Sequence, residues 1–259
     1  MARPPSIAVV TGASSGIGAA VSRRLAADGV TVVAVARRAD RLRAMAAAHP
    51  RIVAHPADVT DPSALDALVE RVGDEFGRCD VLINNAGVPG GAFSGPERIE
   101  GMRHTMRVNF DAAAHCTAVF HQLLAASAPS QVINVASVSG KLGIGPADYV
   151  ASKFALVGLS EALSLSWAPE GIIVTQLNPG FIATEGFPQR QLLRSPFARL
   201  VGVPEDVADA VADVIARPRR ERTVPRWYRP LITLRHVAPG VFWRVAARTP
   251  RARGTRDEP

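Results

Sequence analysis

The sequence predicts an α/β protein built on a doubly wound parallel sheet, and three observations support that class. Short apolar runs rich in β-branched residues recur along the chain, as expected for parallel strands covered on both faces. Segments with apolar residues at three- and four-residue spacing lie between them, which is the pattern of amphipathic helices. The two patterns alternate six times, which indicates a layered parallel sheet rather than a sandwich or a helical bundle.

The elements follow one another in a regular order. Gly29 follows the first helix as a C-cap, while Asp61 and Pro62 supply the N-cap and first residue of the third. A last short strand is expected at residues 222–225, so we predict a single domain over residues 1–225 and an extension over residues 226–259. The six main strands are predicted at residues 6–12, 31–37, 51–59, 80–87, 131–137 and 172–180, and the helices at Ser15–Asp28, Arg38–His49, Pro62–Phe76, Met102–Ser127 and Ala147–Pro169.

Composition excludes several classes of protein. The 259 residues are 47% hydrophobic, which is enough for a sizeable core, yet no apolar run approaches the roughly 18 residues of a membrane span. The N-terminus enters a strand directly, without a signal-peptide pattern. Cys79 and Cys116 lie far apart, so we expect buried free thiols in a reducing, cytoplasmic compartment, with no disulfide and no metal site.

The net charge of +7 is unevenly distributed. Residues 217–256 contain twelve arginines and one acid, Glu221, a sum of +11, so the rest of the chain carries −4. No nucleic-acid partner is expected, because the body is slightly acidic and no recognition module is present. The extension also contains Trp227, Tyr228, Phe242 and Trp243. It could pack with its arginines facing water, roof an apolar pocket, or contact an anionic membrane; beyond Arg248 we expect disorder.

The first predicted strand leads into the sequence TGASSGIG, residues 11–18, and then into a helix. Gly12, Gly16 and Gly18 would let the backbone turn tightly and approach a pyrophosphate, whose charge is stabilised at a helix N-terminus. The spacing differs from the common G-x-G-x-x-G pattern, and a glycine-rich turn alone could be merely structural. The context of the second strand therefore decides between these interpretations.

An acid usually ends the second strand of a dinucleotide-binding fold and binds the adenosine ribose. Here the strand ends at Ala36 and is followed by Arg37 and Arg38. A guanidinium can bind a 2′-phosphate, and no carboxylate is present to repel one. The pattern predicts NADP(H) rather than NAD(H), mainly through Arg37, while Arg38 could instead be an ordinary surface residue.

The segment YVASK combines one of two tyrosines with one of two lysines. Tyr149 and Lys153 are four residues apart, so they share a face of the predicted helix. A free tyrosine has a pKa of about 10, and a nearby ammonium together with an oxidised nicotinamide would lower that pKa toward neutrality. Such a phenol could act as an acid or base near neutral pH. The other lysine, Lys141, is predicted to be a loop residue without such a role.

The ordered motifs resemble the single-domain short-chain dehydrogenase/reductase family from about Ile7 to Pro225. The resemblance implies a Rossmann fold and an NADP(H)-dependent oxidoreductase that acts on an alcohol/carbonyl pair. The motifs are TGASSGIG (11–18), DV (58–59), NNAG (84–87), Asn109 in MRVNF, Ser137 in NVASVSG, YVASK (149–153) and NPGFIAT (178–184).

The resemblance also implies roles for particular residues. Tyr149 would exchange a proton with the substrate oxygen, Ser137 would orient that oxygen, and Lys153 would bind the nicotinamide ribose. Asn109 would support the lysine through a water. Substrate would meet Ser137, Tyr149 and Phe187. The implied cofactor-binding residues are Gly12, Ser14, Ser15, Gly16, Ile17, Gly18, Arg37, Arg38, Asp58, Val59, Asn85, Ala86, Gly87, Tyr149, Lys153, Pro179, Gly180, Ile182 and Thr184.

The chain departs from the family after residue 225. Many tetrameric members end in a glycine-rich strand that builds an interface, whereas this chain continues into the basic extension. We therefore expect a homodimer through the helices that begin at Met102 and Ala147, or another homo-oligomer. Residues 185–202 are expected to cover the pocket, and their apolar members Phe187, Leu192, Leu193 and Phe197 favour a lipophilic substrate. The alternative function is a non-catalytic NADP-binding sensor or scaffold, although such a protein need not keep the catalytic residues.

Overall fold

The computed structural model describes residues 5–91, 93–187, 189, 194 and 201–248. Within them, seven parallel strands form one sheet in the order β3-β2-β1-β4-β5-β6-β7. The predicted doubly wound sheet is therefore confirmed, including its last short strand. The strands are β1 Ile7–Thr11, β2 Thr31–Ala36, β3 Ile52–Pro56, β4 Val81–Asn84, β5 Ser130–Val135, β6 Ile172–Pro179 and β7 Glu221–Val224.

Helices cover both faces of the sheet, as in other Rossmann-like folds. Asp61 caps one of them by accepting a hydrogen bond from the Ser63 backbone N–H at 3.0 Å, as predicted. None of the helices in the described part of the chain is long and apolar enough to cross a membrane. The helices are α1 Gly16–Ala27, α2 Ala39–Ala48, α3 Pro62–Phe76, α4 Ile99–Met106, α5 Ala112–Ala126, α6 Ser139–Leu142, α7 Ala147–Ser166, α8 Pro204–Ala216, α9 Tyr228–Val237 and α10 Pro239–Arg248.

The helix predicted from Met102 to Ser127 differs from the observed one in its middle. It begins earlier, at Ile99, and a π-helical turn over Arg107–Asp111 separates α4 from α5. Such a turn inserts one extra residue into the helical repeat and is frequent at functional sites. The turn contains Asn109, whose side chain is completely buried.

The core lies on both sides of the central strands. All five residues of β1 are buried, with Ala8 and Val10 packing in the cluster on one face and Val9 in the cluster on the other. Each buried valine contributes about 1.5–3 kcal/mol relative to an exposed one. This two-sided burial explains why the strand is apolar throughout rather than alternating. Cys79 and Cys116 are buried free thiols, as predicted.

The strand order reverses between β1 and β4, and the crevice of a doubly wound sheet opens at that point. The carboxyl ends of the strands therefore deliver the sequence motifs to one edge. Gly12 follows β1, Arg37 follows β2, Asn85 follows β4, Ser137 follows β5 and Gly180 follows β6.

The residues that follow β7, predicted to form an extension, form α9 and α10 and pack onto the rest of the protein. Tyr228, Ile232 and Phe242 are buried and pack against Val138 and Leu142, which follow β5. This contact gives the extension a packed inner face. The predicted disorder beyond Arg248 concerns residues outside the described ranges.

The prediction that Lys141 is an unremarkable loop lysine is wrong. Lys141 lies in α6 with only 8% of its side chain exposed, and its Nζ lies 3.0 Å from Glu161 Oε1 and 3.2 Å from Glu221 Oε2. The short helix after β5 turns the lysine inward, and two carboxylates compensate the cost of burying its charge. Neither glutamate is near Lys141 in the sequence, so no local pattern indicated the cluster.

Candidate active site

A cavity of about 910 Å³ runs along the carboxyl edge of the sheet. It brings together nearly all of the residues predicted for cofactor, substrate and catalysis. Gly18 and Asn109 are the two exceptions, because neither lines the cavity. The predicted pocket residues Leu192, Leu193 and Phe197 lie outside the described residues.

The glycine-rich turn forms one wall of the cavity. Gly12 has φ +67°, and a Cβ there would lie 2.8 Å from Ala86 Cα, so only glycine fits at this position. A Cβ on Gly18 would overlap the carbonyl oxygen of Gly12. Gly18 therefore allows α1 to pack closely against the turn, rather than allowing a ligand to approach.

The N-terminus of α1 meets the same wall. Ser15 occupies the N-cap position, but its side chain does not cap the helix, and the first turn contains no acidic residue. Gly16 and Ile17, which begin α1, line the cavity. Unsatisfied N–H groups at a helix N-terminus favour an anion such as a pyrophosphate.

Arg38, rather than Arg37, is bound to the glycine-rich turn. Its Nε donates to Ser14 Oγ at 3.0 Å and its Nη2 donates to Ser15 Oγ at 2.5 Å. Arg37 is more exposed, with 71% of its side chain accessible, and its Nη1 lies 3.8 Å from Asp58 Oδ2. Both arginines line the cavity, so the predicted role of Arg37 stays a prediction, and Arg38, at the start of α2, is a second guanidinium on the same wall.

Asp58 and Val59 form the floor beyond β3. Asp58 Oδ1 accepts hydrogen bonds from the Thr60 backbone N–H at 3.0 Å and from the Thr60 hydroxyl at 2.8 Å. Burial opposes ionisation of Asp58, but these bonds and the nearby Arg37 outweigh it and hold the pKa below its usual range. The carboxylate is therefore an acceptor held in a fixed position.

Three predicted catalytic side chains meet at the other end of the cavity. Tyr149 and Lys153 lie on α7, and Ser137, which follows β5, hydrogen-bonds to Tyr149. The Lys153 Nζ lies 5.7 Å from the centre of the Tyr149 ring and donates to the Val135 backbone oxygen at 2.9 Å. The backbone of β5 thus fixes the lysine, while the serine contacts the phenol.

In the protein alone, burial shifts the pKa values of both members of this pair. Burial raises the pKa of Tyr149 above its usual value, and the hydrogen bond with Ser137 only partly offsets that effect. Burial also lowers the pKa of Lys153 to about 8. The protein groups by themselves do not lower the phenol pKa, because burial of Tyr149 outweighs the effect of its hydrogen bond with Ser137.

Asn109 lies behind the catalytic end rather than in it. Its Oδ1 accepts from the Val88 backbone N–H at 2.8 Å, and its Nδ2 donates to the Val88 oxygen at 3.1 Å and to Ser152 Oγ at 3.0 Å. The amide therefore joins the cavity wall after β4 to the residue beside Lys153 on α7.

Asp148 was missed by the sequence analysis. Its two carboxylate oxygens lie 3.0 and 2.9 Å from the Gly91 backbone nitrogen, and Oδ2 accepts from the Thr105 hydroxyl at 3.1 Å. The carboxylate is buried and anchors the loop after β4 beside Tyr149. In sequence it is an ordinary acid in the first turn of a helix, so only the tertiary contacts reveal it.

Several apolar residues line the part of the cavity beside Tyr149. The ring centres of Phe187 and Tyr149 lie 5.6 Å apart, which agrees with the expected location of Phe187. Phe181 lines the cavity, and its backbone N–H donates to the Tyr228 hydroxyl at 3.3 Å. A Cβ on Gly180 would overlap the Tyr228 ring, so the extension supports this wall from behind. Val138, Ile144 and Pro146 complete the apolar lining.

Comparisons with known proteins agree with this geometry. A family model described as short chain dehydrogenase matches residues 6–192. The chain is 32% identical over 223 residues to a cyclohexanol dehydrogenase of an Acinetobacter species, covering 81% of this chain and 87% of that one. The crystal structure of a short-chain dehydrogenase from Streptomyces avermitilis superposes with a TM-score of 0.78 at 29% identity, covering 95% of this chain and 98% of that chain. A variant of actinorhodin polyketide ketoreductase, solved with NADPH, gives a TM-score of 0.76 at 28% identity, with coverages of 85% and 95%.

Proposed function

The chain belongs to the short-chain dehydrogenase/reductase family, and from that premise we propose that it is an NADP(H)-dependent oxidoreductase that interconverts a lipophilic alcohol and its carbonyl. One observation carries the proposal. Ser137, Tyr149 and Lys153 meet at one end of a cavity whose other end is the glycine-rich turn and Arg38. The apolar wall around Phe181 and Phe187 supports the lipophilic character of the substrate.

The cavity residues fit an extended dinucleotide. The N-terminus of α1 offers its N–H groups to a pyrophosphate, and Arg38 with the serine hydroxyls offers donors to a 2′-phosphate. Asp58 and Val59 would contact the adenine, while Asn85, Ala86 and Gly87 let the backbone pass close to the cofactor. Pro179, Gly180, Ile182 and Thr184 would hold the carboxamide end of the nicotinamide. When bound, the nicotinamide supplies hydride transfer at the substrate carbon and, in its oxidised form, a positive charge near the phenol.

The side chains of the protein handle the proton. In reduction, the Tyr149 hydroxyl donates its proton to the carbonyl oxygen, and in oxidation the phenolate takes it back. The Ser137 hydroxyl donates a hydrogen bond to the same oxygen and stabilises its developing charge. Lys153, with a pKa of about 8, can hold or release a proton near neutral pH. Asn109 holds the helix turn from which the lysine projects.

The alternative is a non-catalytic NADP-binding sensor or scaffold with the same fold. Turnover separates the two functions. Purified protein is mixed with NADPH and a panel of cyclic, steroid, retinoid, fatty and short-chain carbonyls, and oxidation of NADPH is followed by absorbance. Saturable turnover of at least one carbonyl supports the enzyme, whereas tight NADPH binding without turnover of any panel member supports the sensor.

If Arg38 and Ala36 contact the adenosine ribose and its 2′-phosphate, substitutions at these two positions should invert the cofactor preference. We expect Ala36→Asp combined with Arg38→Gln to weaken NADPH binding at least tenfold, since a hydrogen bond to a charged group contributes about 1.5–3 kcal/mol. NADH binding should be retained or improved, because the new carboxylate can accept a ribose hydroxyl. Titration of both cofactors, followed by fluorescence, measures the ratio.

A matched control is available on the same helix. Arg43 pairs with Asp40 on the exposed face of α2 and does not line the cavity, so Arg43→Gln should leave both affinities unchanged. Equal binding of NADPH and NADH by the unmodified protein would contradict the preference. If the double variant keeps the ratio of NADPH affinity to NADH affinity unchanged, Ala36 and Arg38 do not determine the preference.

We also propose that residues 226–259 form an extension to a catalytic domain of residues 1–225 and contact an anionic membrane surface peripherally. The packed inner face leaves apolar side chains outside. Val237 is 79% exposed, Val241 47%, Trp243 46% and Val245 53%. The chain has no acidic residue between Arg222 and Arg248. Exposed apolar groups among basic ones are typical of segments that lie on anionic membranes.

Substitution of the exposed arginines tests this contact without truncation, which would also remove Tyr228 from beneath Gly180. We expect Arg226→Gln, Arg229→Gln and Arg244→Gln together to lower binding to anionic vesicles at least tenfold at low salt, since each basic group near such a surface contributes about 1 kcal/mol. Sedimentation with phosphatidylserine-containing and pure phosphatidylcholine vesicles measures the binding. The control replaces Arg43, Arg71 and Arg103, three exposed arginines of other helices, and should bind as the unmodified protein does. Failure of the full chain to sediment with anionic vesicles would end this proposal.

The homodimer through the helices that begin near Met102 and Ala147 stays a prediction. In the described part of the chain, the residues that follow β7 form helices α9 and α10 rather than a further strand. This arrangement supports an assembly that differs from the tetramer built on a terminal glycine-rich strand.

A further inference from the structure

A short turn after β6 connects the two ends of the cavity. The Thr184 backbone N–H donates to the Phe187 oxygen at 3.0 Å, and the Phe187 N–H donates back to the Thr184 oxygen at 3.2 Å. The Phe187 N–H also lies 3.1 Å from Thr184 Oγ1. Thr184–Phe187 is therefore a closed unit of four residues, and a movement at one corner is transmitted to the other.

One corner of this turn faces the glycine-rich wall. Glu185 Oε1 accepts from Arg38 Nη1 at 2.8 Å, and Oε2 accepts from Arg41 Nη1. The same Arg38 guanidinium donates to the Ser14 and Ser15 hydroxyls. The carboxylate of Glu185 thus sits among the donors that the proposed function assigns to a phosphate.

The other corner faces the catalytic end. Phe187 lies with its ring centre 5.6 Å from that of Tyr149. Phe187 and Glu185 both line the cavity. The turn therefore spans from the arginine cluster to the phenol that transfers the proton.

The Glu185 carboxylate is held by two ion pairs, but another anion can take its place. A hydrogen bond from Arg41 and a second, less effective one from Arg38 hold the pKa of Glu185 below its usual range. The group is therefore ionised at neutral pH. About half of each side chain is exposed, with 43% of Arg38, 47% of Arg41 and 53% of Glu185 accessible. Exposed ion pairs are weak because water screens both charges, so a stronger anion can replace this one.

A phosphate monoester is such an anion. It carries a charge of about −1.5 to −2 at neutral pH and has three strong acceptor oxygens, so it binds a guanidinium better than a single carboxylate does. At Arg38 it would also repel Glu185. The two anions therefore compete for the same donor.

We propose that Glu185 is a specificity-determining residue that occupies the site of the cofactor 2′-phosphate, is displaced by it, and through the Thr184–Phe187 turn changes the position of Phe187 over Tyr149. The inference rests on the proposed NADP(H) function. A cofactor with the 2′-phosphate releases the turn from Arg38, and a cofactor without it leaves the turn attached. The chemical group at the adenosine end thereby affects the substrate end of the same cavity.

The competition is tested with two nucleotides that differ only in the 2′-phosphate, adenosine 2′,5′-bisphosphate and adenosine 5′-monophosphate. Calorimetric titration of the full chain is expected to show that Glu185→Gln tightens bisphosphate binding about fivefold, the order of one exposed ion pair, and leaves monophosphate binding unchanged. Glu75→Gln is the matched control, because Glu75 pairs with Arg71 at 3.1 Å on the exposed face of α3 and does not line the cavity. It should change neither affinity.

The coupling is tested with a reporter at the other corner. In Phe187→Trp, we expect the bisphosphate to shift the tryptophan emission and the monophosphate to leave it unchanged, with the unmodified protein correcting for the three native tryptophans. Adding Glu185→Gln should abolish the shift, because the turn is then already released.

The outcomes separate the inference from the proposed function. Unchanged bisphosphate affinity in Glu185→Gln would overturn the competition, and an equal emission shift with both nucleotides would overturn the coupling. If the unmodified protein binds the bisphosphate no more tightly than the monophosphate, the NADP(H) preference itself fails.

Discussion

Replacement of Tyr149 by phenylalanine is expected to lower kcat by 10²–10⁴-fold, the range that a positioned general acid or base contributes. The substitution removes one oxygen atom from a partly buried ring and leaves its packing against Phe187 in place. NADPH affinity should therefore stay within about twofold, because the role that we propose for the hydroxyl itself is proton transfer. Steady-state rates with a carbonyl identified by the panel, together with NADPH titration, measure both effects.

The second tyrosine of the chain provides the control. Tyr228 lies in the extension and accepts one long hydrogen bond, 3.3 Å, from the Phe181 backbone N–H. Tyr228→Phe keeps the ring that packs beneath Gly180, so we expect kcat within about fivefold of the unmodified protein, consistent with the small net contribution of one hydrogen bond. A Tyr149→Phe enzyme that kept more than about a tenth of its kcat would contradict a general acid role.

Lys153→Met is expected to reduce both cofactor binding and rate. The ammonium is completely buried between β5 and α7, where it would bind the nicotinamide ribose and provide positive charge near the phenol. We expect kcat/KM to fall at least 10²-fold, the lower end of the effect of losing a proton-transfer group, and NADPH affinity to fall about tenfold, in line with one charged hydrogen bond. Unchanged NADPH affinity would show that the ribose contact is wrong.

The pH dependence of stability gives a second measurement on the same variant. The pKa of Lys153 is about 8 in the folded protein, compared with 10.5 for a free lysine. Between these values the unfolded chain binds more protons, so this group makes the free energy of unfolding rise with pH across that window, by up to about 3 kcal/mol. Lys153→Met should lack this contribution in denaturant titrations between pH 8 and about 10.

The other lysine distinguishes a site effect from a general effect of removing a buried charge. Lys141→Met would leave Glu161 and Glu221 without their shared partner, and breaking a buried ion pair is typically destabilising. Lys141 does not line the cavity. We therefore expect lower stability but an almost unchanged rate per folded molecule, the opposite balance to that of Lys153→Met.

The local sequence pattern was sufficient to predict the strands and helices, because their burial determines which residues they contain. Continuous apolar runs identified the parallel strands, because both faces of β1 are buried. Knowledge of the parallel sheet then placed the motifs after β1, β4 and β5 on one edge, since the carboxyl ends of parallel strands meet there. The location of Ser137 on that edge follows from these two facts, whereas its proximity to Tyr149 was implied by the family resemblance.

The features of the site that the sequence did not predict depend on contacts between residues that are distant in sequence. Arg37 and Arg38 are neighbours in sequence, and only the direction of the chain after β2 shows that Arg38 reaches the serine hydroxyls. Asp148 is indistinguishable from an ordinary helix-start acid until its bonds to Gly91 and Thr105 are seen. The raised pKa of Tyr149 also escaped prediction, because spacing along a helix does not report desolvation.

The burial of both lysines has a consequence for how the charge of this protein can be regulated. The chain contains only two lysines, Lys141 and Lys153, and neither exposes more than a tenth of its surface. All basic side chains on the outside of the described protein, apart from histidine, are therefore guanidinium groups, which stay protonated at any physiological pH and are not substrates for lysine acetylation. Neither acetyl transfer to lysine nor a mild change of pH can neutralise them. The positive field of the extension is a permanent property of the folded chain, and only ionic strength or a competing anion can weaken it.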